Sequence, residues 1–180
     1  MPTILSHPVV PLAIAAALGT KLISPRLAIA GAVASIVPDA DVLAFHFGIP
    51  YAHDLGHRGF THSLVFAIAL GMLAAVSAAS LKSTPLCSFL FLFVATASHG
   101  FLDAFTDGGL GVAALWPFSS ERFFAPVQVI EVSPIGMSRF FSERGLSVLR
   151  SEFVWVWIPC LGIASLCCAV RYANRRIGNC

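Results

Sequence analysis

The run LCSFLFLFVATASHGFLDAFT, from Leu86 to Thr106, decides the class of fold. A hydrocarbon core about 30 Å thick takes about 20 residues of helix to cross, because lipid offers no partner to an unpaired backbone group. This run is long enough, and it is apolar except for polar residues gathered near its C-terminal end, His99 and Asp103 among them. It predicts a membrane helix whose last turns carry ionisable side chains. Ser63 to Leu81 and Phe153 to Val170 have a similar length and character and predict two further spans.

Two shorter apolar runs, Val9 to Gly19 and Leu27 to Val37, precede these. Lys21, Ser24, Pro25 and Arg26 lie between them and read as a tight basic turn between two helices. Whether the pair spans or packs as a short hairpin, it begins and ends on the same side. Arg139 to Phe153 mixes Phe140, Phe141, Leu146 and Leu149 with Arg and Glu. That pattern suits an amphipathic helix in the interface or one packed over the bundle end. The expectation is an all-α polytopic membrane helical bundle of about five hydrophobic helices, the first two short, with an interfacial helical segment before the last. It forms one domain over residues 1–180, with the motifs in 1–125 and the interfacial segment and last helix in 126–180.

Composition agrees. Hydrophobic residues make up 57% of the chain and charged ones 11%, against about 25% charged in a soluble domain. The net charge of +2 is spread without a basic block, which argues against nucleic-acid binding. The five cysteines show no paired ligand spacing, and three lie in one apolar run. The first residues lack a basic n-region and a convincing cleavage site, so no removable signal peptide is expected and His7 is retained.

Lys21 and Arg26, Lys82, and Arg171, Arg175 and Arg176 fall in the first turn, the third-to-fourth turn and after the last helix. A five-segment alternation puts these three sites on one side, the cytoplasm by the positive-inside rule. The opposite face then receives the N-terminus, the loop 38–61 and the segment 107–152. That segment carries Arg122, Arg139, Arg144 and Arg150, although long loops count less in the rule.

By the same parity, seven ionisable residues gather on that face: His7, Asp39, Asp41, His57, His62, His99 and Asp103. One His or Asp at a helix end is ordinarily a cap or an interfacial residue. Seven converging on one face are better explained as a metal site, because ionisable groups in membrane segments are costly and functional by default. His99 and Asp103, i and i+4, share one side of a helix, as two ligands or as a ligand and its orienter. Asp39 and Asp41, beside Pro38, are expected in a turn where both point inward. In His57-Arg58-Gly59-Phe60-Thr61-His62-Ser63, Gly59 permits a tight backbone and Thr61 can cap the next helix. Arg58 offers a planar fork for phosphate or carboxylate.

Nitrogen and oxygen donors without thiolate favour zinc, manganese or iron, zinc first. Seven candidates exceed one tetrahedral site, so either two ions bind or some carboxylates act as general base or orienting partners. Arg58, Asp41 and Asp103 are the residues assigned to catalysis, with Arg122 a second source of positive charge. His46, His53 and Asp54 are read as solvated loop residues.

These elements, in order, resemble the bacterial inner-membrane metal-dependent hydrolases of the YdjM-like family, described as relatives of zinc-dependent phospholipase C. The resemblance rests on His7, Pro38-Asp39-Ala40-Asp41, the His57–Ser63 element, His99 with Asp103, Gly108 and Trp116-Pro117-Phe118. It covers about residues 1 to 125. It implies a multi-pass helical hydrolase of the bacterial inner membrane with the seven residues as its metal site; the substrate stays open, and the first hypothesis is a phosphoester of a lipid or lipid-linked molecule. A metal-binding transporter or sensor is the alternative, although the candidate ligands sit at helix ends and no internal repeat is present. No His-Glu-x-x-His or Gly-x-Ser-x-Gly element supports a protease.

Overall fold

The structure, a computed structural model, describes residues 1–134 and 141–177. Its α-helices are α1 (Val9–Leu18), α2 (Pro25–Ala34), α3 (Leu64–Val76), α4 (Pro85–Ala104), α5 (Glu143–Glu152) and α6 (Ile158–Ile177). Two 3₁₀ segments, Val37–Phe47 and Phe60–His62, and a π segment, Phe153–Trp157, complete the regular structure. Among the described residues there is no strand, only isolated bridges pairing Thr106 with Ile130 and Val112 with Phe123. The chain is an all-helical bundle, as the sequence predicts.

Helix starts are set by hydroxyl caps. Ser24, Ser63 and Thr84 accept hydrogen bonds from the backbone N–H of Leu27, Phe66 and Cys87, and Pro25 and Pro85 occupy the first helical position of α2 and α4. The expected cap Thr61 is thus displaced by Ser63.

Three continuous helical stretches are long and apolar enough to cross a bilayer: Pro25–Phe47, Pro85–Ala104 and Glu143–Arg176. The first is longer than the dozen residues expected, because α2 continues into the 3₁₀ segment. Asp39 and Asp41 therefore lie in a helical run rather than a free turn. The expected span Ser63 to Leu81 is helical only over the 13 residues of α3. Beyond Val76 the chain continues in hydrogen-bonded turns, with the Leu81 N–H on the Ser77 carbonyl and the Lys82 N–H on the Ala79 carbonyl, both at 3.1 Å, and the carbonyls of Ser80 and Leu81 accept from Arg26 (3.0 Å) and from the Ser24 hydroxyl.

The amphipathic segment forms the helix expected before the last: α5 runs through the π segment into α6, burying Gly145, Val148 and Glu152 and pairing Arg144 with Glu131 at 2.8 Å. Arg139 and Phe140 lie outside the described residues.

Small residues let the helices approach closely, as membrane packing requires. Gly31 of α2 faces the Phe91 ring of α4, and Gly71 of α3 faces Phe89. Ile23, Leu27, Ala34, Ala74, Phe91 and Leu92 form the main apolar core, and Leu102, Ile130 and Val156 form a second beneath α5 and α6.

The bundle has two chemically distinct ends. At one, Arg26 and Ser24 reach the α3–α4 turn, the Cys87 thiol meets the Leu22 carbonyl at 3.5 Å, and Arg171 donates to the carbonyls of Ala16 and Ala17. The two short turns and the body of α6 therefore meet there, as parity requires. The other end gathers His7, both 3₁₀ segments and the C-terminal turns of α4.

Candidate metal centre

Every one of the seven candidate residues is buried, and they occupy two adjoining layers. The inner layer holds Asp39, His62, His99 and Asp103, each offering one ligand atom, all within 4.8 Å of one another. His99 Nε2 lies 3.0 Å from His62 Nε2 and 3.3 Å from Asp39 Oδ1, and His62 Nε2 lies 3.3 Å from Asp103 Oδ2. His7 joins them from the chain before α1: its Nε2 stands 3.9 Å from both Asp39 Oδ2 and Asp103 Oδ1, and its ring stacks on His99 at 3.7 Å.

The helical run through Asp39 and the last turns of α4 aim these groups at one point. On α4, the i, i+4 spacing puts His99 and Asp103 on the same side. His99 Nδ1 donates to the Ser35 carbonyl at 2.7 Å, which turns Nε2 toward the cluster. Metal-ligating histidines are characteristically oriented in this way, by the hydrogen bond of the other nitrogen.

Asp41 and His57 form the outer layer. Asp41 Oδ1 pairs with His57 Nδ1 at 2.6 Å. Its Oδ2 accepts from the Arg58 N–H at 3.1 Å and the Thr61 hydroxyl at 2.7 Å, and lies 3.2 Å from His62 Nδ1. Asp41, His57 and His62 also lie close enough to be considered as a second ligand set. Their separations, however, are those of a hydrogen-bonded network, in which Asp41 orients both imidazoles through Nδ1.

Arg58 does not extend its fork to an open surface. It is fully buried, with Nε 3.0 Å from Asp103 Oδ2, Nη1 donating to the Gly108 carbonyl and Nη2 to the Thr106 hydroxyl, both at 2.9 Å. Its φ of 63° is a left-handed conformation uncommon outside glycine, such as accumulates at functional sites. The neighbouring Gly59 is required on steric grounds, since a Cβ there would strike the Asp54 carbonyl oxygen. Arg122 is likewise engaged, donating to the carbonyls of His57, Tyr51 and His53. His46 and His53 are exposed, as expected, but His46 lies in the last turn of the 3₁₀ segment Val37–Phe47 rather than in a loop. Sequence reasoning missed Thr106, which accepts from Arg58 and donates to the Asp103 carbonyl at 2.7 Å; a threonine just past a helix end has no distinctive signal.

Does a divalent ion fit? Both nitrogens of His7 and all four carboxylate oxygens of Asp39 and Asp103 are buried without a hydrogen bond. Such atoms cost of order 1–3 kcal/mol each when unsatisfied, more when charged, so their convergence on one point is explained by a cation. Three carboxylates, Asp39, Asp41 and Asp103, face one guanidinium, Arg58, so a surplus of acid remains even with His62 protonated. Burial, reinforced by the nearby His99, depresses the His7 pKa from 6.5 to about 3, so its ring is neutral and ready to ligate. Burial also disfavours the charged form of His62, but its contacts with Asp103 and Asp41 prevail and raise it to about 9.

Residues 1–177 match the YdjM inner membrane protein family. The Escherichia coli (strain K12) inner membrane protein YbcI is 49% identical over 160 residues, which cover 88% of this chain and 92% of that protein. No solved structure matches. With the family match running from the first residue through the last described helix, the chain belongs to the YdjM inner membrane protein family.

Proposed function

We propose that this protein is a membrane-embedded, metal-dependent hydrolase that cleaves a phosphoester of a lipid or lipid-linked substrate. The observation that carries the metal-site reading is the convergence of the buried donor atoms of His7, Asp39 and Asp103, none of them hydrogen-bonded, on the facing Nε2 atoms of His62 and His99. In this reading those five residues hold the ion, zinc by preference and manganese or iron as substitutes. When bound, the ion supplies an acidified water near neutral pH and a Lewis acid for a phosphoryl oxygen.

The protein's own groups have distinct tasks. Asp41 fixes the tautomers of His57 and His62 by holding both Nδ1 atoms, and through His62 it keeps an Nε2 aimed at the ion. Arg58 neutralises Asp103 and keeps that carboxylate aimed inward, a task its buried position suits better than contact with substrate. The hydrolytic chemistry and the lipid nature of the substrate rest on the likeness to phospholipase C-related enzymes and on a site set at the end of a membrane bundle. By the positive-inside rule that end faces away from the cytoplasm.

The test is phosphate or headgroup release from a panel of phospholipids and lipid phosphates by detergent-purified protein reconstituted with zinc or manganese. Release that disappears in the His62→Ala, His99→Ala double variant supports the reading. Release that persists there overturns it, and metal uptake into proteoliposomes without hydrolysis would move the protein to the transporter class.

A further inference from the structure

His7 is the one inner-layer histidine whose ring is oriented by no hydrogen bond. His99 is held by the Ser35 carbonyl, and His62 by Asp41 and Thr61, but neither nitrogen of His7 has a hydrogen-bond partner. Apart from its stacking on His99, its place is set through its backbone, and the residues just before it lie in turns rather than a helix.

Glu152 anchors that segment. This carboxylate, at the end of α5 and 0% exposed, accepts the Thr3 N–H, the Thr3 hydroxyl at 2.6 Å and the Ser6 hydroxyl. Trp157 Nε1 donates to the same Ser6 oxygen at 2.8 Å, and the Met1 carbonyl accepts from the Ser133 N–H at 2.9 Å. The π segment Phe153–Trp157 makes the double contact geometrically possible. Residues five apart in an α-helix project about 140° from each other, whereas the wider π winding brings them to within roughly 50°. Glu152 and Trp157 thus reach the same short segment, whose last residue, Ser6, is bonded directly to His7.

We propose that Glu152 is the positioning residue for His7, holding Thr3 and Ser6 so that the His7 ring completes the metal site from outside the motif-bearing helices. This rests on the metal-site reading above but not on hydrolysis. It assigns a task to a buried ionised-type side chain, and to the π segment, that the chemistry at the ion does not otherwise use. It also joins α5 and α6, which carry none of the seven candidate ligands, to the metal centre.

The experiment is titration of the chelator-treated, detergent-purified full chain with cobalt(II), following both affinity and the visible d–d absorption, which reports the ligand set. Glu152→Ala is expected to weaken cobalt binding by about 10- to 100-fold, the range for partners that orient a ligand, and to shift the spectrum in the same way as His7→Ala. In a His7→Ala background, Glu152→Ala should add less than about a twofold loss, because the two act on one ligand. Glu152→Gln, which keeps an acceptor for the Thr3 N–H while its amide donates to the hydroxyls, should restore most of the affinity. Should Glu152→Ala not fold, Ser6→Ala carries the same comparison.

Wild-type cobalt affinity in Glu152→Ala overturns the proposal, as does an equal further loss in the His7→Ala background, which would mark general destabilisation. A wild-type chain that binds no cobalt overturns the metal-site reading and this inference with it. Cobalt binding without any hydrolysis counts against the proposed reaction alone and leaves the role of Glu152 standing.

Discussion

At the scale of single residues, the candidate metal centre divides into the groups proposed as ligands and the groups that aim them, and the proposal expects the two classes to respond differently to substitution. Removing an inner-layer ligand by His99→Ala should lower zinc affinity by roughly a hundredfold or more, whereas Asp41→Asn, which only loosens the aim of His57 and His62, should cost about 10- to 100-fold. Calorimetric or competition titration of zinc checks both, and equal, negligible losses would remove the cluster from consideration as a metal site. His62 adds a pH signature. Its metal-free pKa of about 9 lies above the ordinary 6.5, so its stabilising contribution is complete below 6.5 and is lost as pH rises toward 9. The ion requires the neutral ring and so competes with that proton. Metal-free protein should unfold more readily at pH 9 than at pH 6, while zinc affinity should climb through the same interval; thermal unfolding with chelator and with zinc at the two pH values tests both signs.

At the scale of elements, the geometry of the His57–Ser63 segment depends on backbone contacts as much as on its polar side chains. A methyl group at Gly59 would meet the Asp54 carbonyl oxygen, which is backbone and cannot swing aside. Gly59→Ala should therefore destabilise by about 1–3 kcal/mol and displace Arg58 and His62, lowering metal affinity along with the thermal midpoint. Gly31 faces the buried Phe91 ring in a comparable squeeze between α2 and α4, but touches none of the candidate ligands. Gly31→Ala should lower the midpoint while leaving zinc affinity in the folded fraction nearly unchanged, and this contrast separates site geometry from bulk packing. The element the sequence misreads is α3. Its apolar composition continues to Leu81, yet the helix stops at Val76 and the chain runs on in turns whose Ser80 and Leu81 carbonyls accept from Arg26 and Ser24 across the bundle. A hydropathy sum over residues 63–81 does not mark where helix gives way to turn.

At the scale of the whole molecule, the clustering of basic residues at one end and of histidine and aspartate at the other sets up an orientation test. Reporter fusions after Lys82 and at the C-terminus should both report the cytoplasm, and an impermeant chelator should strip metal from spheroplasts only if the opposite end faces outward; cytoplasmic placement of the metal end would reverse the proposed topology. The sequence by itself determined that this is a helical membrane protein, since an apolar run of about 20 residues admits almost no other solution in lipid. It also determined which residues share an end, because the parity of spans and turns is independent of how deep each helix sits. Tertiary structure alone decided the layering of those residues, with Asp41 and His57 behind the inner ligands and Arg58 turned inward onto Asp103. It alone revealed that Glu152, almost 150 positions from Thr3, reaches the segment that carries His7. The reason is physical: hydropathy and parity are sums along the chain, whereas the direction of a ring or carboxylate is fixed by hydrogen bonds to partners that folding brings from elsewhere.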